Sequence, residues 1–297
     1  MKKPAFSYLK AHASSYLFLT PFMAFFLLFT VVPVLAAILL SFTDFNTISF
    51  PSFVGLENYE RMLLDDPVFL ISLKNTLLFA VVTGPVSYIL CVLLAWLVNE
   101  MPHGVKVVLT VIFYAPSLTV NATLIWTLIF SGDAYGFVNS ALLKLGLIQD
   151  PILWLTDPRF NMGVIILVQL WLSLGTGFLS FIAGFQTIDR SIYEAGAIDG
   201  IRNRFHEFWY LTLPSIRPQL MFGAVMQIAA SFSISSVPIA LTGFPSTNYS
   251  TSTIVTHILD SGTTKMEMGY ASAMAVMLFA SMIIVRNLVS MVIKSED

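Results

Sequence analysis

Charged residues are scarce in this chain. Only 11% of its 297 residues are Asp, Glu, Lys or Arg, whereas 57% are hydrophobic. A soluble globular domain carries about 25% charged residues, so this composition excludes that class. The formal net charge of −2 offers no basic surface for nucleic acid. The one cysteine, Cys91, rules out a disulfide within the chain and lies in an apolar run typical of core residues.

Catalytic and metal-binding patterns are missing as well. The four histidines are scattered through the sequence, and none has the spacing of a metal site. No phosphate-binding Gly-x-x-x-x-Gly-Lys-Ser/Thr motif occurs, so we expect that this chain does not hydrolyse ATP itself. No nucleophile, base and orienting group are recognisable. The sequence therefore predicts a protein that is not an enzyme and has no cofactor or metal.

Long apolar runs dominate the sequence instead. Hydrocarbon offers no hydrogen-bond partners, so a backbone that spans it must be helical or form a closed barrel. The runs are continuous rather than alternating, which favours helices. We predict an all-α polytopic membrane protein, a single transmembrane domain over residues 1–297. Its six transmembrane helices are expected near 16–42, 73–99, 107–130, 161–186, 219–242 and 269–292.

The distribution of Lys and Arg predicts the orientation of these spans, because cytoplasmic loops carry an excess of basic residues. With the N-terminus inside, five basic residues face outward and ten face the cytoplasm, namely Lys2, Lys3, Lys10, Lys106, Arg190, Arg202, Arg204, Arg217, Arg286 and Lys294. Both termini and a loop at about 187–218 are therefore predicted to be cytoplasmic. Three loops rich in turn-forming residues, about 43–72, 131–160 and 243–268, are predicted to face outward.

The loop at about 187–218 has the pattern of two short helices joined by a turn. Asp189 can cap the first helix, Gly200 can end it, and Asn203 can cap the second. An apolar stripe at helical spacing follows, formed by Phe205, Phe208, Trp209 and Leu211. Pro214 and Pro218 are expected to break this helix before the fifth span, and Pro238 is expected to kink that span. Periodicity alone leaves open whether the stripe rests on lipid headgroups or docks in a groove of another protein.

The order of residues in this loop resembles the EAA loop of permease subunits of binding-protein-dependent ABC importers. It is most similar to the carbohydrate branch, the maltose- and glycerol-phosphate-type permeases. The matching residues are Glu194, Ala195, Asp199, Gly200, Phe208, Leu213 and Pro214. Gly196 stands where Ala is usual, and the Gly-to-Pro spacing is one residue longer than the common form. Residues 53–59, Phe-Val-Gly-Leu-Glu-Asn-Tyr, resemble that branch's lead-in to the second span.

The resemblance implies a mechanism and a set of partners. Two permease subunits would form one path across a bacterial plasma membrane, an ABC ATPase dimer would lie beneath them, and an extracytoplasmic sugar-binding protein would deliver the carbohydrate. ATP-driven closure of the ATPase dimer would move the spans through the loop. The residues implied to couple to the ATPase are Glu194, Ala195, Asp199, Gly200, Phe205, Phe208, Trp209 and Pro214. Among these, Glu194 would form an ion pair with the ATPase, and the aromatic residues would be buried anchors.

The spans contain almost no charged residues, which disfavours a proton-coupled carrier and a highly charged cargo. Neutral amides and hydroxyls beside aromatic rings suit a neutral sugar. The candidates for the substrate path are Gln169, Gln227, Ser231, Ser233 and Ser235, although helix packing also explains such residues. Three alternatives remain open at this point: an ABC permease for a non-sugar solute, an ion-coupled secondary carrier, and a membrane-embedded enzyme.

Overall fold

The computed structural model describes residues 13–119 and 121–294. Within these ranges the chain is helical, and the one strand-like feature is an isolated bridge between Thr43 and Phe53. The prediction of an all-α fold is therefore confirmed. In chain order the α-helices are α1 Ala13–Phe26, α2 Val32–Leu40, α3 Glu57–Glu60, α4 Pro67–Asn99, α5 His103–Leu118, α6 Leu124–Ile129, α7 Phe137–Lys144, α8 Asn161–Leu172, α9 Thr176–Gln186, α10 Arg190–Ile198, α11 Arg204–Glu207, α12 Leu213–Ser215, α13 Arg217–Phe232, α14 Ser236–Thr242, α15 Ile254–Leu259 and α16 Met268–Lys294.

Two compact units make up the chain. The first runs up to Asp65 and includes Ile258–Met277, and the second comprises Asp66–His257 and continues from Leu278. The prediction of one domain over residues 1–297 stays a prediction. Three basic residues on which the orientation argument depends, Lys2, Lys3 and Lys10, lie outside the described residues.

Five helical segments are long and apolar enough to cross a membrane. They are Tyr16–Leu40, Pro67–Asn99, Asn161–Gln186, Arg217–Thr242 and Met268–Met291. These agree with five of the six predicted spans. The sixth candidate, α5, is apolar but shorter.

The third span is not the single helix predicted for 107–130. Helix α5 ends at Leu118, and α6 begins only at Leu124. Pro116 has no N–H to give to the preceding turn. The hydroxyls of Ser117 and Thr119 hydrogen-bond to the carbonyls of Tyr114 and Ala115 at 2.7 and 3.0 Å. Such side-chain bonds compete with helical backbone bonds, and together with the proline they explain why the helix stops here.

The second span begins at Pro67 rather than at the predicted residue 73. Asp66 caps this helix, because its carboxylate accepts a hydrogen bond from the Phe69 N–H at 3.0 Å. Proline is well suited to the first helical turn, where no N–H partner is needed. A hydropathy window does not register either signal, and the predicted start was wrong for that reason.

The fourth and fifth spans are both interrupted near their middles. Helix α8 ends at Leu172 and α9 resumes at Thr176, while α13 ends at Phe232 and α14 resumes at Ser236. The sequence predicts a kink at Pro238, but the break lies just before it. The reason is that Pro238 falls in the first turn of α14, where a proline is tolerated. Irregular backbone at this depth persists only inside protein or beside a water-filled cavity.

The core of the second unit lies where α4, α9 and α13 pack together. Phe178 and Phe181 of α9 are fully buried beside Cys91 of α4. Gly223 of α13 faces Phe181 so closely that a Cβ atom there would overlap the ring. The glycine therefore allows α13 to approach α9. These two helices flank the loop at about 187–218 and hold both of its ends.

Candidate functional site

The loop at about 187–218 begins with a capped helix. The carboxylate of Asp189 accepts a hydrogen bond from the Ser191 N–H at 3.0 Å, as the sequence predicts for the start of α10. This backbone hydrogen bond, with a further one from the Ser191 side chain, lowers the pKa of Asp189 below its ordinary value. The cap therefore stays ionised and stabilises the helix over the physiological pH range.

Gly200 ends this helix in a left-handed conformation, with φ of +92°. The Ile201 N–H donates to the Gly196 carbonyl at 2.9 Å, and the Gly200 N–H donates to the Ala197 carbonyl at 3.3 Å. This pair of bonds is a Schellman motif, which requires positive φ at the residue after the cap and therefore favours glycine. The prediction that Gly200 stops the first helix is confirmed.

The second helical stretch begins at Asn203, whose side chain accepts from the Phe205 N–H at 2.9 Å. It continues through a π-helical turn at Phe208–Thr212, in which the Leu213 N–H donates to the Phe208 carbonyl. It ends at Ser215, so Pro214 lies inside it and does not break it as predicted. A π turn just before a proline redirects the carbonyls that the ring would otherwise disturb. Pro218 lies in the first turn of α13.

The two helices of the loop pack against each other through Gly196. A Cβ atom at this buried glycine would lie 2.5 Å from Leu211 Cδ1, which is too close for any real contact. The departure from the usual alanine therefore has a physical reason, because Leu211 occupies the space of that methyl group. The hydroxyls of Tyr193 and Thr212 add a hydrogen bond of 3.0 Å between the same two segments.

Most of the predicted coupling residues lie on the exposed side of this rigid loop. The solvent-exposed members are Glu194, Ala195, Asp199, Gly200, Phe205, Trp209 and Pro214. The rings of Phe205 and Trp209 are stacked with centroids 6.4 Å apart, and the residues are 60% and 57% exposed. Among residues 13–119 and 121–294, no core side chain covers the exposed parts of these two rings, which leaves them open to contact another molecule.

Phe208 does not lie on the exposed side of the loop, as the predicted stripe had it. It is only 3% exposed, and its ring lies 4.6 Å from that of Trp96 in the core of the second unit. The sequence interpretation placed it beside Phe205 and Trp209 as an anchor for a partner. Phe208 instead points inward and fixes the loop to α4.

Two further residues of this surface, Tyr210 and Ile198, were missed by the sequence interpretation. Phe205, His206, Trp209 and Tyr210 line a cleft of about 280 Å³, and the His206 and Tyr210 rings meet edge to face at 5.9 Å. Ile198 is also exposed, at the end of α10. The sequence signal was the aromatic run Phe208-Trp209-Tyr210 together with two ring pairs at four-residue spacing, which puts the two rings of each pair on neighbouring helical positions.

The predicted substrate-path residues do not form one cluster. Gln227 and Ser231 are buried and line a largely apolar cavity of about 390 Å³ between α4, α13 and α16. The Gln227 amide nitrogen lies 3.3 Å from Cys91 Sγ and 3.4 Å from the Ser173 carbonyl, at the break in the fourth span. The Ser231 hydroxyl donates to the Ile228 carbonyl of its own helix at 3.0 Å. Both side chains are therefore engaged inside the chain.

The other three path candidates lie apart from that cavity. Ser233 is exposed and Ser235 is half-buried, and both belong to the irregular segment between α13 and α14. Gln169 is half-buried on α8. Among the described residues there is no group of three or more His, Cys, Asp or Glu suited to hold a metal ion.

The chain is similar to known proteins of one family. The model of a family described as "Binding-protein-dependent transport system inner membrane component" matches residues 103–295, which include the whole loop. Among curated proteins, the arabinooligosaccharides transport system permease protein AraP of Bacillus subtilis (strain 168) is 31% identical over 275 residues. The alignment covers 92% of this chain and 86% of AraP.

Solved structures share the fold. A chain of a bacterial ABC transporter involved in the import of the acidic polysaccharide alginate superposes with a TM-score of 0.79 at 21% identity, with 99% of each chain covered. A chain of the alginate transporter in complex with an alginate pentasaccharide-bound periplasmic protein gives a TM-score of 0.77 at 21% identity, with 95% of this chain and 94% of that chain covered. This chain therefore belongs to the binding-protein-dependent transport system inner membrane components, the membrane-spanning permeases of ABC transporters.

Proposed function

We propose that this chain is the permease subunit of an ATP-driven carbohydrate importer, forms half of the translocation path and couples to an ABC ATPase through its loop at about 187–218. The observation that carries the proposal is the construction of that loop. It is capped at Asp189 and Asn203, closed by Gly200 and fixed to α4 by Phe208, and it still leaves Phe205 and Trp209 exposed. A rigid element with an open aromatic face can transmit the movement of a bound partner to the helices it joins.

The other partners follow from this role. A second, homologous permease would complete the path, a dimer of ATPase subunits would hydrolyse the ATP, and an extracytoplasmic binding protein would supply the sugar. The permease of arabinooligosaccharides and the alginate transporter bound to its periplasmic protein support a carbohydrate and a binding protein here. The excess of Lys and Arg on one side supports a bacterial plasma membrane orientation with both termini and the loop in the cytoplasm.

A single-cysteine experiment tests the orientation and the ATPase contact together. In a Cys91→Ser background, we expect a membrane-impermeant maleimide to label Tyr135→Cys in intact spheroplasts and to label Trp209→Cys only after permeabilisation. A thiol–amine crosslinker should then join position 209 to a nucleotide-binding subunit. An ion-coupled carrier has no such subunit, so the absence of any ATPase adduct, or external labelling at position 209, would contradict the proposal.

The interrupted fifth span is the best location for sugar contacts. We infer that Ser233 and Ser235 lie along the path, because helix breaks near the membrane midplane expose backbone and side-chain polar groups that a neutral sugar can bind. Gln227 and Ser231 would support the packing around that break, since their polar groups already have partners in the chain. Gln169 remains a candidate for contact with the sugar along the same path.

Two serines two positions apart allow a matched test of this assignment. We expect Ser233→Ala to raise the KM for uptake of labelled neutral oligosaccharides about fivefold, the effect of losing a hydrogen bond of about 1 kcal/mol. Ser231→Ala should leave the KM unchanged, because its hydroxyl bonds within its own helix at 3.0 Å. Transport kinetics and membrane levels of both variants are the measurements. An effect of Ser231→Ala that equals or exceeds that of Ser233→Ala would exclude the assignment.

A further inference from the structure

The loop that precedes α4 carries an apolar hairpin, residues 43–53, which we call the apolar finger. Its two arms are joined by the Thr43–Phe53 bridge and by a hydrogen bond of 3.1 Å from the Asp44 N–H to the Ser52 carbonyl. Three large apolar side chains on it, Ile48, Phe50 and Phe53, are 89%, 96% and 79% exposed. Within the part of the chain that the structure describes, nothing covers them, and apolar side chains grouped in this way mark an interaction site.

The tip of the apolar finger is held in shape by its own side chains. Asn46 Oδ1 accepts hydrogen bonds from the backbone N–H groups of Ile48 and Ser49 at 3.2 and 2.9 Å. Asp44 Oδ1 accepts from the Ser52 N–H at 2.7 Å. Its base is fixed to the start of α16, where the Gly269 N–H donates to the Phe45 carbonyl at 2.8 Å. A preorganised loop loses little conformational entropy on docking, which favours a role as an anchor.

An acidic cavity of about 630 Å³ lies beside the base of the finger. Its lining has five carboxylates and one guanidinium, together with two amides and three other side chains: Asp44, Phe45, Asn46, Val54, Glu57, Asn58, Glu60, Arg61, Asp65, Glu267 and Tyr270. Arg61 is engaged with Glu267 at 2.9 Å and lies 4.2 Å above the Tyr270 ring. The remaining carboxylates give the cavity a formal excess of negative charge, which attracts a cationic group.

We propose that the apolar finger and the acidic cavity form one docking surface for the extracytoplasmic binding protein. The binding protein would receive Phe50 and Ile48 in an apolar recess and place a Lys or Arg side chain in the cavity. The inference rests on the proposed function, which supplies the binding protein and the outward orientation of this loop. Aromatic anchors are typical of the centre of an interface, and complementary charges around them favour the correct partner and orientation.

The same chemistry argues against other occupants. A lipid surface would present phosphate groups to a rim of carboxylates, and like charges brought together in this way repel one another. A metal ion is not supported either, because the described residues contain no group of ligands suited to one. The photocrosslinking experiment distinguishes insertion of the apolar finger into lipid from docking of the binding protein.

Photocrosslinking in whole cells tests the proposal on the complete transporter. With p-benzoylphenylalanine in place of Phe50, we expect an adduct that mass spectrometry identifies as an extracytoplasmic solute-binding protein. The same probe at Trp209 is the control and should give no such adduct. Adducts of position 50 with lipid alone or with another permease subunit alone, or no adduct at all, would overturn the docking surface.

A charge reversal tests the cavity separately from the finger. In the Phe50 probe background, Glu60→Lys should reduce the yield of the binding-protein adduct about tenfold, because it sets a like charge against the incoming cation. Asp150→Lys, which makes the same change at an exposed residue outside the cavity, should leave the yield within about twofold. Equal losses in both variants would overturn the role of the cavity.

Co-purification of the ATPase, measured in the same cells, separates this inference from the proposed function. If the ATPase co-purifies while the binding-protein adduct is missing, only the docking surface is wrong. If the ATPase does not co-purify with the unaltered chain, the proposed function is wrong.

Discussion

Replacing Gly200 with Asp is expected to leave the protein in the membrane but to reduce ATP-driven uptake strongly. Gly200 has a φ of +92°, and a Cβ atom at this position would meet nothing within 4 Å. The substitution is therefore strained by its backbone conformation alone, by roughly 1–2 kcal/mol. If the turn relaxes to relieve this strain, the Schellman bonds to Gly196 and Ala197 are lost and the angle between the two loop helices changes. We expect uptake and ATPase co-purification to fall at least about tenfold, since about 1.4 kcal/mol of lost docking energy suffices.

The chain contains a matched control for this variant. Gly146 follows α7 with a φ of +67° and likewise has open space around a Cβ. The Leu147 N–H donates to the Leu142 carbonyl at 3.0 Å and the Gly146 N–H to the Leu143 carbonyl at 3.0 Å, which is the same Schellman motif. Gly146→Asp should therefore cost similar stability without affecting the ATPase. Comparable loss of uptake and of ATPase binding in both variants would indicate a general folding defect and contradict the role of Gly200.

Two neighbouring aromatic residues should respond to truncation in opposite ways. Phe208→Ala removes a side chain that is packed on Trp96 in the core, and such cavities cost about 3–5 kcal/mol. We expect a large drop in the thermal stability and membrane level of this variant. Trp209→Ala removes an exposed ring and should change stability by less than about 0.5 kcal/mol. It should weaken ATPase association by about 2 kcal/mol, roughly 30-fold, because exposed tryptophans of this kind act as interface anchors.

Thermal unfolding of the purified chain and co-purification of the ATPase are the two measurements. Tyr135→Ala serves as the control for Trp209→Ala, because it truncates an exposed aromatic residue on a predicted outer loop. It should change neither quantity. If Trp209→Ala destabilises the chain as much as Phe208→Ala does, or leaves the ATPase association intact, the division of this helix into an inner and an outer face is wrong.

The local features of the loop could be predicted because their signals lie within a few residues of one another. Asp189 and Asn203 cap the helices that follow them, and Gly200 supplies a positive φ that few other residues adopt. The face that Phe208 takes could not be predicted in this way. Phe208 and Trp209 are consecutive and lie about 100° apart around a helix. The period leaves open which of the two faces inward, and the packing of Phe208 on Trp96 decides it.

Long-range packing accounts for the other differences. The partner that packs on Phe208 is Trp96, far away in sequence, and the side chain that fills the space beside Gly196 is that of Leu211 on the next helix. The break in the fourth span also escaped prediction, because hydropathy stays high through it, and the break in the fifth span lies just before Pro238, where the kink was predicted. The predicted path residues include Gln227, whose amide instead bonds at one of these breaks. Which polar side chains of a span point inward depends on neighbours that a single apolar run does not identify.

The sequence by itself determined that this protein is a helical membrane chain with a loop between two spans that has capped helices and a glycine turn. Hydropathy, helix caps and positive φ depend on residues that are close together in the sequence, so they can be recognised without the structure. Only the tertiary structure decided which side of that loop is left open for a partner and which polar groups of the spans are already engaged. Those choices depend on contacts such as Phe208 with Trp96 and Gln227 with Ser173. The packing of α4, α9 and α13 brings the residues of these contacts together, and no pattern in the sequence predicts that packing.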